Sequence, residues 1–292
     1  MADWFEAGLL DLGHRVTFSD RRVERNAINL FWECFTPKSS AWLASLPVHY
    51  GIIATEIPDG NAFNWRTEPA WQERFNAFAR AAKRASFIWT MVEDTVPFYS
   101  QFCPAAYMEM GFSERLIPDY IDQVPEIDFC FFGQHTPYRD NAVEKLRRYT
   151  NVEWPAFLPG REIGQLIARC RVGLSFKQSD EWPIPSPTRL GRLIMAKRGV
   201  ASEYVPIATR QGDIAGLCPK DVDFIDYAMA MLLDWRTRAE AAFEQYRAKM
   251  PMRDIMEQVL DRTIQEPNKP ALLLARVSSF LRWQIRGRTA CP

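Results

Sequence analysis

"SPTRLGRLIMAKRGVASEYVP", residues 186–206, is the stretch from which the fold can be read. A loop braced by Pro183, Pro185 and Pro187 feeds a helix over 187–197. Proline suits the first helical turn, where its missing N–H leaves nothing unpaired. The helix is predicted to end near Gly199, and Val200 and Ala201 open a short apolar strand that runs to Ser202 and Glu203. Helix, glycine and strand in that order make one repeat of an α/β protein. Ser186, Thr188 and Arg189 gather at the helix mouth. The first N–H groups of a helix lack partners and the dipole is positive there, so a phosphate would sit well. A plain N-cap is the other use of the same residues.

Outward from this stretch, the alternation runs in both directions. Upstream, "IDFCFFG" (127–133) and "RVGLSFK" (171–177) read as strands, and 139–149 and 160–170 as helices. An earlier block alternates in the same way. Its strands are 14–19, 27–33, 48–55, 86–91 and 105–110, and 37–46 and 68–85 are helices. Trp71, Phe75, Phe78 and Ala82 give the second helix its apolar face. Between the blocks, "GFSERLIPDYIDQVPE" (111–126) has a Gly, two Pro and several acidic residues and reads as a linker. Downstream, 221–250 is mostly helical, with further helices near 252–265 and 270–285. The expected fold is therefore α/β, with two Rossmann-like domains facing a cleft. The first covers 1–112, with helix 270–285 packing back on it through Leu272, Leu273, Ala275 and Phe280; the second covers 113–269.

Ligands of open parallel sheets bind beyond the carboxyl ends of the strands. In the second block those ends carry Gly133, Gln134, His135, Lys177 and Glu203, beside the helix mouth with Ser186, Thr188 and Arg189. Cations and a helix mouth suit a diphosphate, and a carboxylate suits ribose hydroxyls. In the first block the same positions carry Glu56, Glu93 and Asp94. Each residue also has a bland use, as a solvated surface charge or a strand-end cap.

Composition excludes several classes. Lys+Arg and Asp+Glu both number 36, and a balanced charge is unlike a nucleic-acid binder. The cysteines are scattered, without CxxC or a Cys/His cluster, which argues against zinc and against a disulfide scaffold. No signal peptide and no membrane-length apolar run is found, so a cytoplasmic protein is expected.

With these motifs in view, the chain resembles the GT-B glycosyltransferases, specifically the glycosyl transferase group 1 relatives and CgeB-like proteins. "GLLDLGHRVTFSD" looks like the first helix and second strand of that fold. "DFCFFGQHTPYRDNAVEKL" looks like the opening of its donor domain. "RLGRLIMAKRGVASE" looks like its donor helix, running from Arg189 to Glu203, fourteen residues on. Two departures stand out: Arg192 replaces the glutamate of many relatives, and Lys197 replaces a glycine. Only Met1–Glu6 precede "GLLDLGH", so the first domain is expected to lack its first strand.

The resemblance implies transfer of a sugar from a nucleotide-diphosphate sugar to an acceptor, without a dedicated metal or further cofactor. Lys177, Thr188 and Arg189 would stabilise the departing diphosphate, and an inverting reaction would need a base, with Glu56 first and then Glu93 or Asp94. The partners expected are the nucleotide-sugar donor and an acceptor of unassigned class (glycan, protein or small molecule), with a homodimer allowed. The alternative is a non-catalytic GT-B-fold binding or assembly protein.

Overall fold

The computed structural model describes residues 1–19, 23–33, 35–155, 158–264 and the backbone of 280–284. Two compact units divide the chain: unit 1 is Met1–Glu109 with Met252–Pro292, and unit 2 is Met110–Pro251.

Unit 1 opens with α1 (Ala2–Asp11), β1 (Arg15–Phe18), β2 (Ile28–Trp32), α2 (Pro37–Ser45) and β3 (Tyr50–Ala54). A small antiparallel hairpin follows, β4 (Pro58–Asp59) and β5 (Ala62–Phe63), and then α3 (Pro69–Ala82), β6 (Phe87–Thr90), α4 (Val96–Tyr99) and β7 (Ala105–Tyr107). Unit 2 holds β8 (Ile127–Cys130), α5 (Pro137–Arg147), β9 (Val152–Glu153), α6 (Gly160–Arg169), β10 (Cys170–Ser175), α7 (Pro187–Met195) and β11 (Gly199–Ser202). It closes with α8 (Arg210–Ala215), α9 (Phe224–Leu233) and α10 (Trp235–Lys249). The chain then returns to unit 1 with α11 (Met252–Thr263) and β12 (Phe280–Gln284).

The unit 1 sheet is wholly parallel, in the order β1-β12-β2-β3-β6-β7. Its central strands are mostly apolar, as sheets covered on both faces require: Ile52, Ile53, Ala54, Ile88 and Trp89 are all fully buried. Trp89 donates from Nε1 to Thr263 Oγ1 at 2.9 Å, which ties α11 to β6. Gly51 lies beneath the Phe87 ring, where an added Cβ would come within 2.2 Å.

Two expectations are corrected here. Residues 252–263 belong with unit 1, so the second block ends at Pro251 and not at 269. Residues 280–284 form strand β12, not the end of a helix; the rest of the stretch expected as helix 270–285 lies outside the described residues. The sequence "FLRWQ" is aromatic enough to suit a strand, although the spacing of Leu272, Leu273, Ala275 and Phe280 suggests a helix. As for the missing first strand, β12 takes a place between β1 and β2, parallel to both.

The stretch 111–126 is no free linker either. Phe112 is buried, with its ring edge-on to Phe243 at 5.4 Å and to Tyr246 at 6.3 Å. Its N–H donates to Met250 O at 2.6 Å. Composition marks the stretch as loop, but its backbone partners lie far along the chain.

The unit 2 sheet is parallel, in the order β11-β10-β8-β9. One face buries Phe129, Val172 and Leu174 with Val143 and Leu146 of α5 and Ala228 and Met231 of α9. On α7, Leu193 presses so closely on Gly173 of β10 that a Cβ there would stand 2.1 Å from it. Gly173→Ala should therefore cost about 1–3 kcal/mol of stability through overpacking. Chemical denaturation of the variant measures this, and an unchanged midpoint would show that Leu193 yields freely.

Among the described residues, no helix is long and apolar enough to cross a membrane.

Candidate functional site

Parallel pairing of β8, β10 and β11 puts their carboxyl ends on one edge of the unit 2 sheet. From β8 the chain continues through Phe131, Phe132 and Gly133 into α5, with Thr136 as N-cap and Pro137 in the first turn. The helix starts two residues before the expected 139, and this places Arg139 in its first turn, pointing inward. Arg139 is buried and donates to three carbonyls: Lys177 O at 2.8 Å, Gln134 O at 3.0 Å and Phe176 O at 3.4 Å.

Arg189, in the first turn of α7, is the centre of the cluster. It is 6% exposed, so it does not stand out from the helix mouth as a solvent-facing fork. Its guanidinium lies over the Phe131 ring at 4.7 Å, and Arg139 lies over the same ring at 5.5 Å. Nε donates to Phe132 O at 3.1 Å, while Nη1 is buried without a partner. Gly133 makes the fit: at φ +158° its added Cβ would stand 2.7 Å from Arg189 Nη2. Burial, and next the charge of Arg139, push the Arg189 guanidinium down to about 9. It stays cationic at neutral pH. Its side-chain hydrogen bond goes to a backbone carbonyl and not to Asp180 or Glu181.

Glu203 follows β11 and is also buried. Tyr138 donates its OH to Oε1 at 2.7 Å, and the Lys177 N–H donates to Oε2 at 2.7 Å. Burial raises the Glu203 carboxyl above its ordinary range, and these two donors counter part of that. The Lys177 Nζ lies 5.5 Å from the Tyr138 ring and donates to Asp180 O at 3.2 Å. Gly133, Lys177, Arg189 and Glu203 are thus brought together.

The other expected residues sit at the margin. His135 lies flat on Trp154 at 3.7 Å, with Nδ1 2.8 Å from Asp140 Oδ1, and Trp154 donates to Gly133 O at 3.2 Å. Gln134 is exposed and enters through its carbonyl. Ser186 precedes α7 without a side-chain cap bond, and its Oγ lies 3.4 Å from Thr188 Oγ1. Phe131, Tyr138, Arg139 and Trp154 were missed in the sequence. Thr136–Pro137, a cap followed by a first-turn proline, is the signal that would have moved the helix start and drawn Arg139 inside.

In unit 1, Glu56 follows β3 and its carboxylate is engaged on both oxygens, by Arg74 Nη2 and by Asn64 Nδ2. One acceptor site stays open on each of these oxygens. Glu93 and Asp94 lie exposed on a 3-10 turn, Glu93–Thr95. Glu33, read in the sequence only as the end of a strand, is buried beside Glu56.

Neither a protein-family profile nor a curated protein matches this chain. Solved structures do. One is AviGT4, a glycosyltransferase involved in avilamycin A biosynthesis, at 14% identity and TM-score 0.50 over 94% of this chain and 88% of that one. Another is an alpha-glucosyltransferase in complex with UDP-glucose and DNA, at 8% identity and TM-score 0.53 over 78% of this chain and 75% of that one. A third is sucrose-phosphate synthase from Thermosynechococcus elongatus, at 11% identity and TM-score 0.50 over 87% of this chain and 74% of that one. The fold is that of the GT-B glycosyltransferases.

Proposed function

We propose that this chain transfers a sugar from a nucleotide-diphosphate sugar to an acceptor, with unit 2 binding the donor. The observation that carries the reading is Arg189, a buried cation whose Nη1 has no partner and whose largest charge interaction is repulsion by Arg139, only partly offset by Glu203. A buried charge that is only partly compensated is costly, and a second guanidinium beside it makes it costlier. An anion at that edge relieves both. A diphosphate has the charge and the oxygens to meet a planar guanidinium in two places.

The chemistry follows from the same charges. A diphosphate leaves with growing negative charge, and fixed cations lower the barrier by stabilising it. Arg189, Arg139 and Lys177 supply this charge in place of a dedicated metal. Glu203, with a free lone pair on each engaged oxygen, would accept a ribose hydroxyl. The GT-B fold of this chain is consistent with such a donor.

The test is thermal stabilisation by UDP, GDP, TDP and CMP. A nucleotide present at about 100 times its Kd should add about 2.7 kcal/mol of stability. A flat response to all four would reject donor binding and favour the non-catalytic reading of the fold.

A further inference from the structure

Glu33 follows β2 at its carboxyl end and is 1% exposed. Its Oε1 accepts three hydrogen bonds, from Thr55 N and Thr55 Oγ1 at 2.5 Å and from Glu56 N at 2.7 Å. Its Oε2 is buried with no partner. The next carboxyl group is that of Glu56, at the end of β3, and the cation it holds is Arg74 of α3. Tyr99 of α4 faces the pair as well, and donates its OH to Glu56 O at 2.9 Å. Two carboxyl groups therefore meet one guanidinium in the interior. A carboxylate with a bare oxygen out of water is expensive, and a neutral carboxylic acid costs far less.

We propose that Glu33 is a proton-dependent clamp: as a neutral acid it holds the end of β3, and with it Glu56, and its ionisation sets two carboxylates against Arg74 and loosens that end of unit 1. The clamp reaches the hairpin through Asn64, whose Nδ2 bonds Glu56 and whose Oδ1 accepts from Ile57 N at 2.9 Å. Asn64 and Trp65 both hold φ of +56°, a left-handed pair that needs such support. This device does not depend on sugar transfer.

The charge balance gives the sign. Burial first, and then Glu56, push the Glu33 carboxyl up to about 8 from its ordinary 4.5. The folded chain thus binds this proton more strongly than the unfolded chain. Its contribution to stability is full below about pH 4.5 and is lost as pH rises through about 8.

The experiment is the melting temperature of the full chain from about pH 5 to about pH 8.5, in wild type and in Glu33→Gln. Glutamine keeps the Oε1 acceptor and places an N–H where the acid carries its O–H. The wild type should melt several degrees lower at the alkaline end, and the variant should lose at least half of that decline. Parallel declines would overturn the clamp. Should the variant not fold, calorimetry of the wild type at about pH 7.5, in buffers of different ionisation heat, decides the matter. Release of most of one proton on unfolding supports the clamp, and release of none overturns it.

Discussion

Arg189→Met is expected to weaken binding of a nucleoside diphosphate roughly tenfold to a hundredfold, since a hydrogen bond to a charged group contributes about 1.5–3 kcal/mol. Methionine keeps much of the volume over Phe131 and removes the charge. The melting temperature of the unliganded protein should stay level or rise, because the variant relieves a buried cation with an unpartnered Nη1 beside Arg139. The two readouts move independently, which makes the variant informative. A purely structural arginine would give the reverse: a lower melting temperature and an unchanged Kd. Isothermal titration and thermal denaturation on the one variant separate the two roles, and an unchanged Kd would retire Arg189 as the anion-binding group.

Arg198→Leu should behave in the opposite way. Arg198 is 3% exposed and follows α7 at the far end from the site. All its nitrogens serve backbone carbonyls: Nε bonds Ile167 O at 3.2 Å, Nη2 bonds Gln123 O at 2.9 Å and Ala168 O at 3.0 Å, and Nη1 reaches Lys197 O at 3.4 Å and Ile121 O at 3.5 Å. Leucine removes the guanidinium from these acceptors, of which Ile167 O keeps the Cys170 N–H. Each buried unsatisfied group costs about 1–3 kcal/mol, so a loss of at least about 3 kcal/mol is expected. Denaturant unfolding measures it, and nucleotide affinity at a temperature where the variant is folded should be unaltered. A loss below about 1 kcal/mol would mean that water replaces the guanidinium at those carbonyls.

The contrast between the two arginines marks what separates sequence from structure here. Both lie in or just after one predicted helix, nine residues apart, one at its mouth and one past its end, and the local pattern shows the partners of neither. What distinguishes them is their surroundings. Arg198 meets carbonyls from 121 to 168, and Arg189 meets an aromatic ring, a second arginine and a bare glycine.

By itself the sequence determined the alternation of helix and strand, the division into two α/β blocks and the strand ends where Gly133, Lys177 and Glu203 gather. These rest on periodicity and on turn residues, which act within a few positions of the chain. Tertiary structure alone decided that β12 enters the unit 1 sheet between β1 and β2, that Arg198 binds the 111–126 stretch to the end of α6, and that Glu33 is buried against Glu56. Burial, charge pairing and the partner of a strand edge are set by groups brought together from distant parts of the chain. A local pattern carries no record of what will stand opposite it.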